Sequence, residues 1–262
     1  FEFLSQREAR LLDKTAKKAR QKVHHRTALR IAEKRDGMLR IIEAPPLVER
    51  LTEQEIAANV QPVFRRYLRS LPDHHRELID RFQFSDAARR VVSVGSVGTH
   101  CFAVALTGRD VDDPLFLQLK QAGPSALASY LPPSRYANQA QRVVTGQRFV
   151  QSASDMFLGW TRLPNGHEFY VRQLKDMKGS IEVSRLDTRL MEVYASLCGG
   201  LLAHAHARTG DPIQISSYIG KGEAFPNALM KFAERYADQT ERDYQKLKAA
   251  VRSGKVEAIK GV

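Results

Sequence analysis

The stretch from Val91 to Gly108, VVSVGSVGTHCFAVALTG, sets two glycines three residues apart between two apolar runs. Runs rich in Val, Phe and Leu that are bounded by Gly predict β-strands. A strand after Gly98 excludes a Rossmann-type dinucleotide site, in which the glycines open a helix. A glycine loop between two strands can still hold phosphates, because backbone N–H groups approach a triphosphate where no Cβ intervenes. The alternative, a simple chain reversal, remains open because most glycine-containing hairpin turns bind nothing.

Composition indicates a globular chain outside the membrane. The 262 residues are 43% hydrophobic and 27% charged, which is ordinary for a folded domain. No apolar run approaches the roughly 20 residues of a membrane helix, and the start FEFLSQREAR does not resemble a signal peptide. We therefore expect a cytoplasmic protein with no membrane partner. The chain begins with Phe1 rather than Met, which suggests a processed form or a piece of a longer protein.

A net charge of +12 makes nucleic acid, anionic lipid or a phosphorylated small molecule a candidate partner. Residues 4–35 form a basic helical stretch that either contacts phosphates or is a solvated surface, and the second interpretation is favoured because charge runs usually are solvated. Nucleic-acid binding is thus a minor alternative. No metal site is predicted, since the two cysteines lack metal-ligand spacing and the acidic run 110–113 is typical of a turn.

The order of predicted elements gives an α+β fold. Three strands are predicted from Arg89 to Gln121, then a helix over 136–151, then a hairpin around Pro164-Asn165-Gly166. This makes a five-stranded antiparallel sheet with one helix after its third strand. Two helical stripes follow, which we expect to be core faces; their apolar residues begin at Leu190 and at Phe225.

Three segments follow from this order. Residues 1–82 are predicted to be a basic helical segment and linker, residues 83–178 a small lobe, and residues 179–262 a helical lobe. The sequence strand, glycine loop, strand, turn, strand ending in lysine, helix and hairpin is the order found in the small lobe of protein-kinase-like enzymes.

Lys120 is the candidate phosphate-binding side chain. It ends the apolar run LFLQLK, where an ammonium group needs an anionic partner or a route to solvent. The alternative is an edge lysine that reaches water. Together with the backbone amides near Gly95, Ser96 and Gly98, its ammonium group forms the predicted nucleotide-binding set.

Several long segments resemble a bacterial family, the domain of unknown function 2252. The resemblance extends from Lys17 to Ile259, and the segments that carry it are VVSVGSVGT, DDPLFLQLKQA, SRYANQAQRVVTGQR, ASDMFLGWTR, YVRQLKDMKGS, LAHAHARTGD and YADQTERDY. The family is grouped with protein-kinase-like folds and is similar in that sense to aminoglycoside phosphotransferases, although its activity is not established. The resemblance implies ATP and Mg²⁺ as cofactors and an acceptor substrate of unknown identity.

Fuller members of that family carry a segment resembling GDxHxxNF and an acidic DFD-like segment, and neither occurs in these 262 residues. The chain is therefore expected to be the nucleotide-binding part of a kinase-like phosphotransferase that does not transfer phosphate alone, with catalytic residues unknown. The alternative is a non-catalytic, pseudokinase-like binding module.

Two departures from the family pattern bear on Lys120. Gln121 and Gln141 stand where related sequences often have glutamates, which leaves Glu182 or Glu192 as possible acidic partners. Among the other basic residues, Arg172, Lys175 and Lys178 either contact phosphates or form structural salt bridges; we favour the structural role.

Overall fold

The described residues form an antiparallel sheet of six strands, one more than predicted. The computed structural model describes residues 31–35, 37–56, 60–91, 98–151, 153–174 and 181–258. The sheet has the order β3-β4-β5-β6-β8-β7. Its strands are β3 (Val48–Arg50), β4 (Gln83–Arg90), β5 (Cys101–Thr107), β6 (Pro114–Gln121), β7 (Gly159–Arg162) and β8 (Glu168–Gln173).

A two-stranded ribbon and seven helices complete the α+β fold of the described residues. The ribbon consists of β1 (Ala32–Arg35) and β2 (Met38–Ile41). The helices are α1 (Glu53–Glu55), α2 (Gln61–Leu68), α3 (Asp73–Ile79), α4 (Gln139–Val150), α5 (Thr188–Thr209), α6 (Pro212–Ile219) and α7 (Ala224–Arg252). Every one of these helices is too short or too polar to cross a membrane.

The six-stranded sheet has a hydrophobic core on each face. The ribbon covers one face, where Leu39 and Ile41 pack with Ala103 and Phe116. Helices α2 and α3 cover the other, where Tyr67 and Ile79 join a larger cluster. The Tyr67 hydroxyl donates to the carbonyl of Phe157 at 2.6 Å, so its polar end is satisfied although the ring is buried. Successive residues of a strand therefore point alternately to the ribbon face and to the face covered by α2 and α3.

The first predicted strand begins earlier than expected. The pattern placed it at RRVVSV, residues 89–94, whereas β4 spans Gln83–Arg90; residues 92–94 lie outside the described residues. Two features of β4 interrupt the alternation of polar and apolar residues that predicts a strand. The register is irregular between Phe84 and Asp86, and the Asp86 carboxylate is completely buried. The sixth strand, β3, lies in the linker around Pro45-Pro46, for which short edge strands were expected; it has three residues and pairs at the edge of the sheet.

Several local predictions are confirmed. The Pro164-Asn165-Gly166 turn joins β7 to β8, with Gly166 at a φ of +90° that favours glycine. Helix α4 begins at the cap Asn138, whose side-chain oxygen accepts the Gln141 N–H at 2.8 Å. The acidic run 110–113 is a turn in which the Asp110 carboxylate accepts the Asp112 N–H at 2.9 Å.

Neither helical stripe expected to be a core face is fully buried: Leu190, Val193 and Leu197 of the α5 stripe are half-buried, and most of the α7 stripe is exposed. Helices α5 and α7 contain no buried residue, and in α7 the side chains of Leu229, Phe232 and Tyr236 are all more than half exposed. Contacts divide the chain into two compact units, residues 1–202 and 203–262. The predicted three-segment division and the kinase-like assignment of the lobes remain predictions.

Replacing Asp86 with Asn should lower the free energy of unfolding by about 1.5–3 kcal/mol, the contribution of a hydrogen bond to a charged group. The Asp86 carboxylate is fully buried and accepts the Ile41 N–H at 2.8 Å and the Arg50 Nε–H at 3.0 Å. It thereby ties the ribbon and β3 to β4. Urea denaturation measures the change.

The matched control is Asp73→Asn. The Asp73 side chain is 92% exposed and pairs with Arg76 across one helical turn, so its loss should cost less than about 1 kcal/mol. Equal losses in the two variants would contradict the structural role of Asp86.

Candidate functional site

Lys120 lies at the end of β6, on the same face of the sheet as two neighbours in register. Its Cα pairs with that of Cys101 in β5 and with that of Tyr170 in β8. Directly opposed residues in adjacent strands point to the same side. Lys120 and Tyr170 are partly buried and Cys101 is buried, so Lys120 is in part shielded from solvent and in part accessible to it.

The connection that contains the two glycines, residues 91–100, which we call the glycine turn, joins β4 to β5 at this same end of the sheet. Strand β4 ends at Arg90 and β5 begins at Cys101, where the Gln121 N–H donates to the His100 carbonyl at 2.9 Å. Gly98 has a φ of +76°, a conformation that L side chains rarely adopt. Of the four predicted nucleotide-binding residues, Gly98 and Lys120 thus belong to one end of the sheet. Gly95 and Ser96 lie outside the described residues.

Two arginines join Lys120 around Cys101. Burial raises the pKa of the Cys101 thiol, while the positive charges of Lys120, Arg90 and Arg172 act in the opposite direction. The Arg172 guanidinium donates through Nε and Nη2 to Gln118 Oε1 at 3.3 and 3.2 Å. The amide nitrogen of Gln118 lies 3.7 Å from Cys101 Sγ, so Gln118 links the arginine to the thiol. We call Arg90, Lys120 and Arg172 the cationic cluster.

The cationic cluster lacks hydrogen-bond and ion-pair partners in the described part of the chain. Nη1 of Arg90 is buried and has no hydrogen-bond partner among the residues that the structure describes. A buried donor without a partner is costly, and one on a charged group is more so. No described carboxylate forms an ion pair with Lys120, Arg90 or Arg172. Within the described residues, the positive charge of these three side chains around one buried thiol is therefore not offset by an ion pair.

The side chains considered as partners of Lys120 are engaged elsewhere or exposed. Gln121 belongs to the opposite face, where its side chain contacts the His100 N–H and His167 Nδ1, each at 3.0 Å. The Glu182 carboxylate pairs with Arg185 Nε at 2.8 Å. Glu192 is exposed on α5. Because residues alternate along β6, Gln121 cannot share the side of Lys120 in this register.

Helix α4 lies against β7 and β8 and is anchored at both ends. The Glu168 carboxylate accepts the Gln139 N–H at 2.6 Å, and Arg148 Nη2 donates to the Leu158 carbonyl at 2.6 Å. The Arg148 guanidinium also lies 5.8 Å from the ring centroid of Trp160, which opposes Tyr170.

A polar cavity of about 290 Å³ lies at the C-terminal end of α4, beside one member of the cationic cluster. Its lining residues are Gln147, Gln151, Ala153, Ser154, Asp155, Arg172 and Gln173. The cluster therefore borders space that can hold a polar ligand.

Family comparison gives one result. The family described as "Uncharacterized protein conserved in bacteria (DUF2252)" matches residues 1–250. The chain belongs to this family. No curated protein and no solved structure matches the chain. Membership confirms the family resemblance, and the family's description carries no activity.

Arg90 and Gln118 were missed by sequence reasoning. Arg90 was placed at the start of a strand, whereas it is the last residue of β4, immediately before the glycine turn. Gln118 had a usable signal: it is two positions before Lys120 in an otherwise apolar run, and so on the same face of β6. Arg172 had been noted as a candidate phosphate contact; Lys175 and Lys178 lie outside the described residues.

Replacing Lys120 with Met should raise the pKa of the Cys101 thiol further, because the variant removes one of the positive charges that favour the thiolate. The pH dependence of iodoacetamide alkylation, followed by mass spectrometry of the Cys101 peptide, measures this shift as a midpoint at higher pH. Lys34→Met is the control, since Lys34 pairs with Asp112 in the exposed turn. An unchanged midpoint in Lys120→Met would contradict the proximity of the two side chains.

Proposed function

We propose that this chain is the nucleotide-binding part of a kinase-like phosphotransferase whose acceptor is unknown. The observation that carries the proposal is the cationic cluster, with its buried, unpartnered Arg90 Nη1, at the sheet end that bears the glycine turn. The phosphates of ATP would supply the missing anion. The order of elements, with β5 and β6 followed by α4 and the β7–β8 hairpin, supports the kinase-like assignment.

Each member of the cationic cluster would have a distinct part in binding. Arg90 presents a desolvated donor in a fixed position, which is suited to a phosphate oxygen. Lys120, in β6, would attract the phosphates through the compact positive charge of its ammonium group. Arg172 is oriented by Gln118 and keeps further guanidinium N–H groups for a ligand. Backbone amides of the glycine turn, at Gly95, Ser96 and Gly98, would complete the phosphate contacts.

A triphosphate fits this donor set because its three side chains are positive and no described carboxylate forms an ion pair with them. Mg²⁺ bound between phosphates would neutralise charge that develops during phosphoryl transfer. We assign nucleotide binding, and not the transfer step, to these 262 residues, since they contain no GDxHxxNF-like or DFD-like segment. The catalytic base and the protein ligands of Mg²⁺ are not assigned to any residue.

A second candidate function is a non-catalytic nucleotide-binding module. The observation that favours it is that no described carboxylate forms an ion pair with Lys120, while side-chain contacts hold Gln121 on the opposite face. In active kinases a glutamate from the helix orients this lysine. The two candidates share the same binding site and differ in whether bound ATP is consumed.

The affinity for Mg-ATP, measured by isothermal titration calorimetry, tests the proposed binding site. Lys120→Ala should weaken binding at least about tenfold, since charge-assisted hydrogen bonds contribute about 1.5–3 kcal/mol. Arg90→Gln should weaken it as well, because the variant removes the buried positive charge. Phosphate release measured on the same samples separates the two candidates: turnover supports the transferase, and binding without turnover supports the non-catalytic module.

Lys246→Ala is the matched control. It removes the same charge from α7, where Lys246 lies 3.7 Å from Asp243, and should leave affinity unchanged. Equal affinities of the wild type, Lys120→Ala and Arg90→Gln would contradict the proposed site.

A further inference from the structure

The face of the sheet opposite Lys120 contains an apolar cavity of about 140 Å³. It lies between the strands and the side chains of Leu51, Glu55, Val60 and Val63. Leu119 belongs to its lining, and Leu119 alternates with Lys120 along β6, so the sheet separates this cavity from the cationic cluster. The lining consists of Leu51, Glu55, Val60, Val63, Arg89, His100, Phe102, Val104, Leu119, Leu163, Asn165, His167 and Phe169.

Four rings form a continuous wall of the cavity. The centroids of Phe102 and Phe169 lie 5.7 Å apart with their planes tilted by 50°. The His100 ring stacks on Phe102 at 6.2 Å, and His167 meets His100 edge-on at 5.3 Å. Such a wall favours a flat ring that adopts the same offset or edge-to-face geometries.

A hydrogen-bond chain fixes one polar group in this wall. Gln121 Oε1 accepts the His100 backbone N–H, so the Gln121 amide NH₂ is the group that faces His167 Nδ1 at 3.0 Å. His167 Nδ1 is then an acceptor, and the hydrogen of the neutral ring is on Nε2. The cavity lining therefore includes a ring with an oriented N–H donor.

Charge at the cavity indicates a neutral ligand. Glu55 and Arg89 contribute opposite charges to the lining. Hydrogen bonds from Thr52 and, to a smaller extent, the charge of Arg89 lower the pKa of the Glu55 carboxyl. His100, Arg89 and Asn165 are exposed, so the cavity is accessible from solvent.

We propose that this cavity is a binding site for a small, neutral, planar aromatic molecule that carries one hydrogen-bond acceptor. The aromatic wall binds the ring and His167 Nε2–H binds the acceptor. An apolar cavity of about 150 Å³ holds benzene, so the ligand has about six to ten non-hydrogen atoms. The site is independent of the proposed nucleotide site, because the two use opposite faces of the sheet.

Acetophenone and ethylbenzene are matched probes of this site. The two have nearly the same shape, but only acetophenone carries a carbonyl acceptor. In protein labelled at Leu and Val methyl groups, acetophenone should shift the NMR signals of Val63, Val104 and Leu119, with a dissociation constant of roughly a millimolar or below. Ethylbenzene should shift the same signals with about tenfold weaker affinity, since it leaves the His167 donor unpaired.

Two variants separate the parts of the proposal. Leu119→Phe fills the cavity and should abolish the shifts at Val104. His167→Phe keeps a ring but removes the donor, and should reduce acetophenone affinity to that of ethylbenzene. Val143→Leu on α4, outside the lining, should retain wild-type binding, as should Lys120→Ala. Failure of Mg-ATP binding would leave these expectations unchanged.

The absence of methyl shifts at millimolar acetophenone in folded wild-type protein would overturn the proposal. Shifts that persist unchanged in Leu119→Phe would place the probe elsewhere and would also overturn it. Equal affinity for acetophenone and ethylbenzene would contradict the proposed hydrogen bond between His167 and an acceptor on the ligand.

Discussion

The alternation of side chains along β6 determines what each side of this protein can do. Lys120 points to the side of Cys101 and Tyr170, while Leu119 points into the cavity on the other side and the Gln121 side chain reaches His100 and His167. A shift of register by one residue would exchange these sets and bury the ammonium group in an apolar cluster. Packing on both faces prevents that shift, because Phe116 is buried on one side and Leu117 on the other.

Charge is balanced differently in two parts of the Lys120 face. Near the ribbon, the buried Asp86 carboxylate offsets Arg50 and joins three chain segments. Toward the glycine turn no described acid performs that function, and Arg90 keeps a buried donor without a partner. A folded chain tolerates such a group where binding later satisfies it, so the imbalance at the cationic cluster is the physical basis of the proposed phosphate site.

Sequence patterns predicted those elements that are determined by residues close together in the sequence. The Pro164-Asn165-Gly166 hairpin and the α4 helix each depend on residues within a few positions, and both are confirmed. Strand β4 was misplaced because its burial depends on a carboxylate whose partners are 36 and 45 residues away in sequence. Lys120 was identified as an unusual charge in an apolar strand. Arg90 and Gln118 required the strand register, which sequence alone does not fix.

A crystal structure with a non-hydrolysable ATP analogue and Mg²⁺ tests the central claim most directly. The account predicts phosphate oxygens within about 3 Å of Lys120 Nζ and of Arg90 Nη1, on the face that carries Cys101. An analogue bound on the opposite face, or bound with its phosphates away from both side chains, would contradict the account.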